Sequence, residues 1–341
     1  MARFRLDSRR TLIGAMAGMA ALTVSLSGQT NATDTRPIVT PNWQTPRTAW
    51  GDPDLQGMYT TDDLGQNVPF EREKQLGTKA WLTQEEADKR RAERRLAIAF
   101  GAPGDTGNYG TEWRDTERAR PSAQSSLLID PPDGRLPALT PEGQKRLAAR
   151  PDPNQRPNGP EDFQDPWDRC ITRGMPGVMI PNGYANGLQI VQAPGSVLLF
   201  YEMIHEVRRV PLDGRPHVHK KIRQWWGDAR GRWDGDTLVV ETTNFNTKHS
   251  FNGSSENMRL VERFIRTGPD TIDYRFTVED PAIWTKPFTA LIPLQADRGP
   301  HSYELWEYAC HEGNYSLANM LSGARADERA EAQAATKRQR K

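Results

Sequence analysis

The sequence predicts a mainly β protein. An antiparallel meander closes into a barrel over about residues 165–312, wrapped by an irregular N-terminal arm with two short helices. Three observations lead there. The 26 Pro and 28 Gly in 341 residues interrupt the chain too often for long helices. The second half carries a series of strand-like runs separated by turn residues, with Asp-Gly at 213–214 and 234–235 as hairpin signals. Within that half, Ile272, Tyr274, Phe276 and Val278 alternate with Thr271, Asp273, Arg275 and Thr277, the period of a half-buried strand. The alternative on the same evidence is an α+β fold with an open sheet.

In chain order, residues 1–32 read as an export signal. Arg3, Arg5, Arg9 and Arg10 form a basic head, an apolar run follows from Leu12 to Leu26, and Thr30-Asn31-Ala32 offers a small-x-small cleavage site. The run is too short for a stable membrane span. Ser8-Arg9-Arg10-Thr11-Leu12-Ile13 resembles the twin-arginine signal, so the mature chain is expected in the periplasm, with no membrane association after cleavage. Residues 33–164 are the irregular arm, with Trp43, Trp50 and Tyr59 as anchors onto a core. Thr83 and Glu86 form a capping box ahead of a helix over Glu85 to Ala99, with Leu82 as its staple. Asp105 to Arg118 is a polar loop, Ser125 to Ile129 a short strand, and Thr140-Pro141 opens a second helix to about Ala149.

The barrel-like domain is placed at 165–322. Its strand candidates are Gly187–Gln192, Val197–Val210, Ile222–Trp226, Thr237–Thr243, Met258–Arg266, Thr271–Val278, Phe288–Leu294 and Tyr303–Cys310. Further turns fall at Pro194-Gly195, Gly268-Pro269-Asp270 and Arg298-Gly299. Residues 323–341, Ala-, Glu- and Arg-rich without apolar period, are expected as frayed helix or disorder.

Removing 1–32 takes away four Arg and one Asp, so the formal charge goes from +1 to 1 − 3 = −2. A near-neutral mature chain of mixed charge has no electrostatic footprint for nucleic acid. The two cysteines, Cys170 and Cys310, are expected to form one disulfide in an oxidising compartment. It closes a long loop, worth about 3–5 kcal/mol in the chain-entropy picture. A catalytic thiol is the weaker reading, because neighbours such as Cys310 and His311 point to opposite faces of a strand.

The segment Ile222-Arg-Gln-Trp-Trp-Gly-Asp-Ala-Arg-Gly-Arg-Trp-Asp-Gly-Asp-Thr-Leu-Val-Val-Glu-Thr-Thr-Asn-Phe245 resembles the signature block of a large family of exported bacterial proteins of undescribed function. Pro211-Leu-Asp-Gly-Arg-Pro-His217 and Tyr308-Ala-Cys-His-Glu-Gly-Asn-Tyr315 fit the same family. The resemblance covers most of 125–324 and implies no particular reaction. In architecture alone the strand pattern is similar to lipocalin-like barrels, which hold apolar ligands.

Chemistry is sought first at Glu202, His205 and Arg208, in the hydrophobic run Val197–Val210, with Glu202 and His205 as the acid/base pair. A carboxylate in that company is costly unless paired or protonated, which favours proton transfer. The competing reading is a solvated Glu202, or one paired with Arg263 or Arg266 across the sheet. Asp228 is the third acid/base candidate, although Asp228, Arg230, Arg232, Asp234 and Asp236 also read as turn-forming residues around Trp233. Trp225, Trp226 and Trp233 are expected as pocket wall, with Asn244, Tyr274 and Trp306 completing the ligand contacts. His217-Val218-His219 on a strand would place two rings on one face, about 6–7 Å apart, a weak metal pair with no third ligand in view. No nucleophile elbow, phosphate loop or dinucleotide fingerprint occurs. The reading is a cofactor-free exported enzyme of isomerase, lyase or hydratase type. It acts on a small apolar or aromatic molecule in a barrel pocket; the alternative is a non-catalytic binding protein for such a ligand.

Overall fold

The computed structural model describes residues 40–61, 64, 68–100, 122–149, 157, 159, 162, 166, 167, 169–246, 248, 251–296 and 304–339. The export signal and the polar loop at 105–118 therefore lie outside the described residues, as does the Arg298-Gly299 turn.

The described chain is mainly β. Its strands are β1 (Gly57–Thr60), β2 (Leu128–Asp130), β3 (Leu188–Ala193), β4 (Ser196–Tyr201), β5 (Val207–Pro211), β6 (Asp228–Asp234), β7 (Thr237–Thr243), β8 (Arg259–Arg266), β9 (Thr271–Glu279) and β10 (Phe288–Ala296). They form one antiparallel sheet in the order β5-β4-β3-β1-β10-β9-β8-β7-β6, with β2 added to β10. The sheet curls into a nearly closed barrel. Its two end strands, β5 and β6, share no ladder but pack together. A Cβ on Gly231 of β6 would lie 2.5 Å from Leu212 Cδ2 and 2.6 Å from Val210 Cγ1, so only glycine allows this approach.

Alternation fixes which face is inside. Leu260, Glu262 and Phe264 of β8 face inward with Ile272, Tyr274, Phe276 and Val278 of β9 and Phe288, Ala290, Ile292 and Leu294 of β10, all essentially buried. A one-residue slip would turn every one of these outward, which is why the register is firmly specified. Each large apolar side chain so buried contributes about 1.5–3 kcal/mol against the unfolded chain.

The described residues form three α-helices: α1 (Gln84–Phe100), α2 (Pro141–Ala148) and α3 (Ser316–Gln339). The capping box is present, with Thr83 N donating to Glu86 Oε2 at 2.7 Å and Glu86 N to Thr83 Oγ1 at 3.2 Å. Thr140 Oγ1 accepts from Gly143 N at 3.0 Å and starts α2. Of the tail expected as frayed helix or disorder, residues 323–339 are the continuation of α3, and 340–341 lie outside the described residues. No helix among the described residues is long and apolar enough to cross a membrane.

Four strand expectations need correction. Val197–Val210 is not one strand but the hairpin β4–β5, turned at Met203–His205 with Ile204 at φ 61°. Nothing in that apolar run marks a turn; the hydrogen bonds of Tyr201 N to Glu206 O and Glu202 N to Gly187 O close it. Ile222–Trp226 makes only an isolated bridge, Gln224 to Phe245. Residues 304–309 join no ladder; Trp306, at 73% exposure, has no apolar face to pack on. Conversely Asp228–Asp234, with the composition of a turn, is β6, because Ala229, Gly231 and Trp233 stand opposite Thr242, Val240 and Leu238 of β7.

The arm is also more than a wrapping. It supplies β1, inserted between β3 and β10, and β2 on β10. Cys170 and Cys310 are disulfide-bonded, Cα–Cα 5.8 Å, and join two irregular segments instead of anchoring a last strand.

Candidate functional site

Two polar clusters stand out, one inside the barrel and one on its outer face. Inside, Arg208 of β5 reaches Glu262 of β8, Nη2 to Oε2 2.7 Å, with side chains 4% and 0% exposed. The same Nη2 donates to Thr242 Oγ1, and Tyr274 OH donates to Glu262 Oε1 at 3.1 Å. Tyr201 lies beside this pair with its ring 5.3 Å from that of Trp226. Burial by itself would lower the Arg208 guanidinium; Glu262 reverses this and holds it above its ordinary value. Burial pushes both tyrosine hydroxyls up, Tyr201 partly restrained by Arg208 and Tyr274 pushed further by Glu262. Arg208 Nε and Nη1, Tyr201 OH and Trp226 Nε1 are buried without a hydrogen-bond partner of good direction. The cavity beside Tyr201, walled by Met179, Leu188, Met203 and Leu294, measures about 10 Å³, the space of one water.

Outside, a cleft of about 540 Å³ lies over the exposed face of β6–β9 under the Pro211–His217 segment. His217 stands at its edge. His217 Nδ1 is 2.9 Å from Asp228 Oδ2; a carboxylate oxygen accepts, so the Nδ1 end carries the proton and Nε2 is left for the cleft. Nε2 faces Glu241 Oε1 at 3.6 Å. Asp228 is held from three sides, accepting also from Val218 N at 3.0 Å and from Arg230 Nη1 at 2.7 Å. Asn244, itself at φ 61°, donates from Nδ2 to Val218 O at 3.0 Å and Ile222 O at 3.1 Å, pinning the segment that carries His217. Gly227, at φ 68°, makes the turn into Asp228; a Cβ there would lie 2.5 Å from Thr243 O.

On the far side of His217, Arg259 bonds both Glu241 and Glu279, the latter at 2.9 Å. The Arg259 bond, with its charge and that of His217, holds the Glu241 carboxyl below its ordinary value, and Glu241 in turn raises Arg259. An imidazole oriented by a buried aspartate and opened to solvent beside a second carboxylate can take and return a proton.

Of the acid/base candidates, Asp228 is bonded to His217. Glu202 is buried at the end of β4, where its carboxylate accepts from Gly187 N at 3.1 Å and Trp306 N at 3.3 Å and ties two loops together. The His205 side chain lies outside the described residues. Neither arginine named for Glu202 meets it: Arg263 approaches Asp234 and Arg266 bonds Asp54 O and Pro269 O. The interior salt bridge is Arg208–Glu262. Trp226 and Trp233 pack half-buried against the core, Trp225 is half-buried, Tyr274 is interior and Trp306 exposed. None of these, nor Asn244, lines the cleft.

His217 and His219 do not share a strand face. The segment is irregular, His217 turns to Asp228, and His219 is exposed with Nδ1 accepting from Lys221 N. Among the described residues no group of three or more His, Cys, Asp or Glu is placed to hold a metal ion.

Sequence reasoning missed Glu241, Arg259, Glu262 and Glu206, and Arg208, named there with Glu202, pairs with Glu262. Burial raises the Glu206 carboxyl to about 8, against a hydrogen bond from Thr172 Oγ1 at 2.9 Å that lowers it. Glu262 had a legible signal: it falls in phase with Leu260 and Phe264, so an acid on the inward face was written in the alternation. Compared with known proteins, the chain matches no family model, no curated protein and no solved structure.

Proposed function

We propose that the chain is an exported enzyme of acid/base type, moving protons on a small molecule as an isomerase, lyase or hydratase does, with its centre in the outer cleft instead of the barrel pocket. One observation carries the reading: the Asp228–His217 pair, Nδ1 to Oδ2 2.9 Å, with Nε2 opening toward a cleft of about 540 Å³. Asp228 fixes the ring and balances the charge that appears when Nε2 takes a proton. Glu241, 3.6 Å away and held ionised by Arg259, steadies the positive charge that appears on the ring. The small apolar or aromatic substrate expected from the sequence requires a wide barrel interior. Beside Tyr201 the interior has room for one water, so the cleft is the better support for turnover. The chemistry needs no cofactor. Export is supported by the reading of residues 1–32 and is compatible with the disulfide.

The test is solvent exchange. Wild-type protein and the His217→Gln variant are incubated in D2O with periplasmic small-molecule extract, and deuterium uptake is read by mass spectrometry. At least one compound is expected to gain deuterium with wild type and not with the variant. Identical uptake in both, or none, refutes the reading. A non-catalytic binding protein would instead retain a ligand through purification without any exchange depending on His217.

A further inference from the structure

The register of the sheet places charges in the cleft that its protein partners leave unbalanced. Arg232 of β6 stands opposite Val239 of β7, Val239 opposite Arg263 of β8, and Arg263 opposite Arg275 of β9. Like charges directly opposite one another across a sheet repel. Arg275 is satisfied: its Nε and Nη2 donate to the two oxygens of Asp273 at 3.0 and 2.9 Å, all of it buried. Arg232 and Arg263 are not. They share the single carboxylate of Asp234, at 3.9 and 3.4 Å, with side chains 65% and 43% exposed. Two guanidinium groups for one acid leave a local positive surplus at this end of the cleft, against the two carboxylates that share Arg259 at the other, and both line it above the apolar floor of Val239 and Val261.

We propose that Arg232 and Arg263 form the anchor for the carboxylate of a small organic acid. Guanidinium forks match a planar carboxylate two bonds at a time, and a local positive surplus matches a monoanion. The floor between them is apolar, so the body of the ligand is apolar or aromatic. The register also sets a direction. Glu241, which faces His217, is two residues along β7 from Val239, and two residues of strand span about 7 Å. The anchor therefore lies one same-face strand position from the residue that faces His217, so a ligand held there extends toward the imidazole along the strand. The anchor stands on the arginine row alone; only the placing of the reacting end rests on the acid/base reading above.

The probe is benzoate, titrated at low salt by calorimetry and by ¹H–¹⁵N spectra of the arginine Nε groups. Saturable millimolar or tighter binding is expected, with the Arg232 and Arg263 signals shifting. Replacing both by Gln is expected to weaken benzoate by at least about tenfold, while Lys at both positions retains measurable affinity. Both side chains are solvent-facing, so an unchanged melting temperature shows that the double variant folds. His217→Gln is expected to leave benzoate affinity within about threefold. No saturable benzoate binding, binding indifferent to the double Gln variant, or inorganic phosphate binding more tightly than benzoate at the same arginines would each overturn the assignment. The two readings fail separately. Benzoate binding without His217-dependent deuterium exchange removes the acid/base function and keeps the anchor; exchange without benzoate binding does the reverse.

Discussion

The barrel interior and its outer cleft are built from the same residue types and put them to opposite use. Inside, Arg208 and Glu262 are a fully buried ion pair flanked by Tyr201 and Tyr274. Outside, Arg259 and Glu241 are a half-exposed pair flanked by His217. Removal from water makes the interior pair rigid and mutually dependent, because either charge left alone would be stranded in a poorly polarisable medium. The outer pair stands partly in water and is screened, so it is worth less to stability and leaves the neighbouring imidazole open to solvent. The proposed proton chemistry accordingly belongs to the wet face.

The comparison can be broken most strongly from inside. Arg208→Met or Glu262→Gln alone is expected to cost about 3–5 kcal/mol in chemical denaturation, because the partner is stranded. Replacing both by apolar residues of similar volume is expected to recover most of that loss. If the double replacement is as unstable as either single one, the interior pair does more than neutralise itself. On the outer face, Asp228→Asn is expected to reduce His217-dependent exchange by about 10²–10⁴-fold, since the ring loses its orienting carboxylate. Equal rates for Asp228→Asn and wild type would detach the aspartate from the chemistry.

Much of the fold was legible before any coordinates. β7, β8, β9 and β10 follow from alternation and their turns, and α1 and α2 from their caps. The hairpin at Met203–His205 was not, because its turn is made by Ile204 in a left-handed conformation that the surrounding hydrogen bonds impose. Asp228 was legible as a candidate, but its partner was not, since His217 reaches it through an irregular segment that Asn244 holds from another strand's end.

A smaller effect depends on pH. Glu206 directly precedes β5, outside both clusters, with its carboxyl raised to about 8 by burial. A raised acid binds its proton more tightly folded than unfolded, so its contribution is full below the ordinary 4.5 and is lost as pH rises toward 8. Wild type is therefore expected to lose stability over that window, measured by denaturant midpoints, and Glu206→Gln to flatten the slope. A steeper slope in the variant would contradict the burial of this group. Smallest of all, Glu241→Gln is expected to change stability by no more than about 1 kcal/mol, with the difference shrinking in high salt. A loss as large as that of Glu262→Gln would erase the distinction between the two pairs.

The sequence by itself determined the class of fold, most of the ladder and the pairing of its two cysteines, because alternation, capping and turn chemistry act over a few residues and a pair of thiols has one way to close. Only the tertiary structure decided that β1 and β2 of the arm belong to the sheet, that a Gly- and Asp-rich segment is the edge strand β6, and that a cleft opens on the outer face of β6–β9. Those outcomes depend on which distant strands share a ladder and on how far inward-facing aromatics fill the interior. Both are sums over contacts between residues far apart in the chain, and no local pattern carries them.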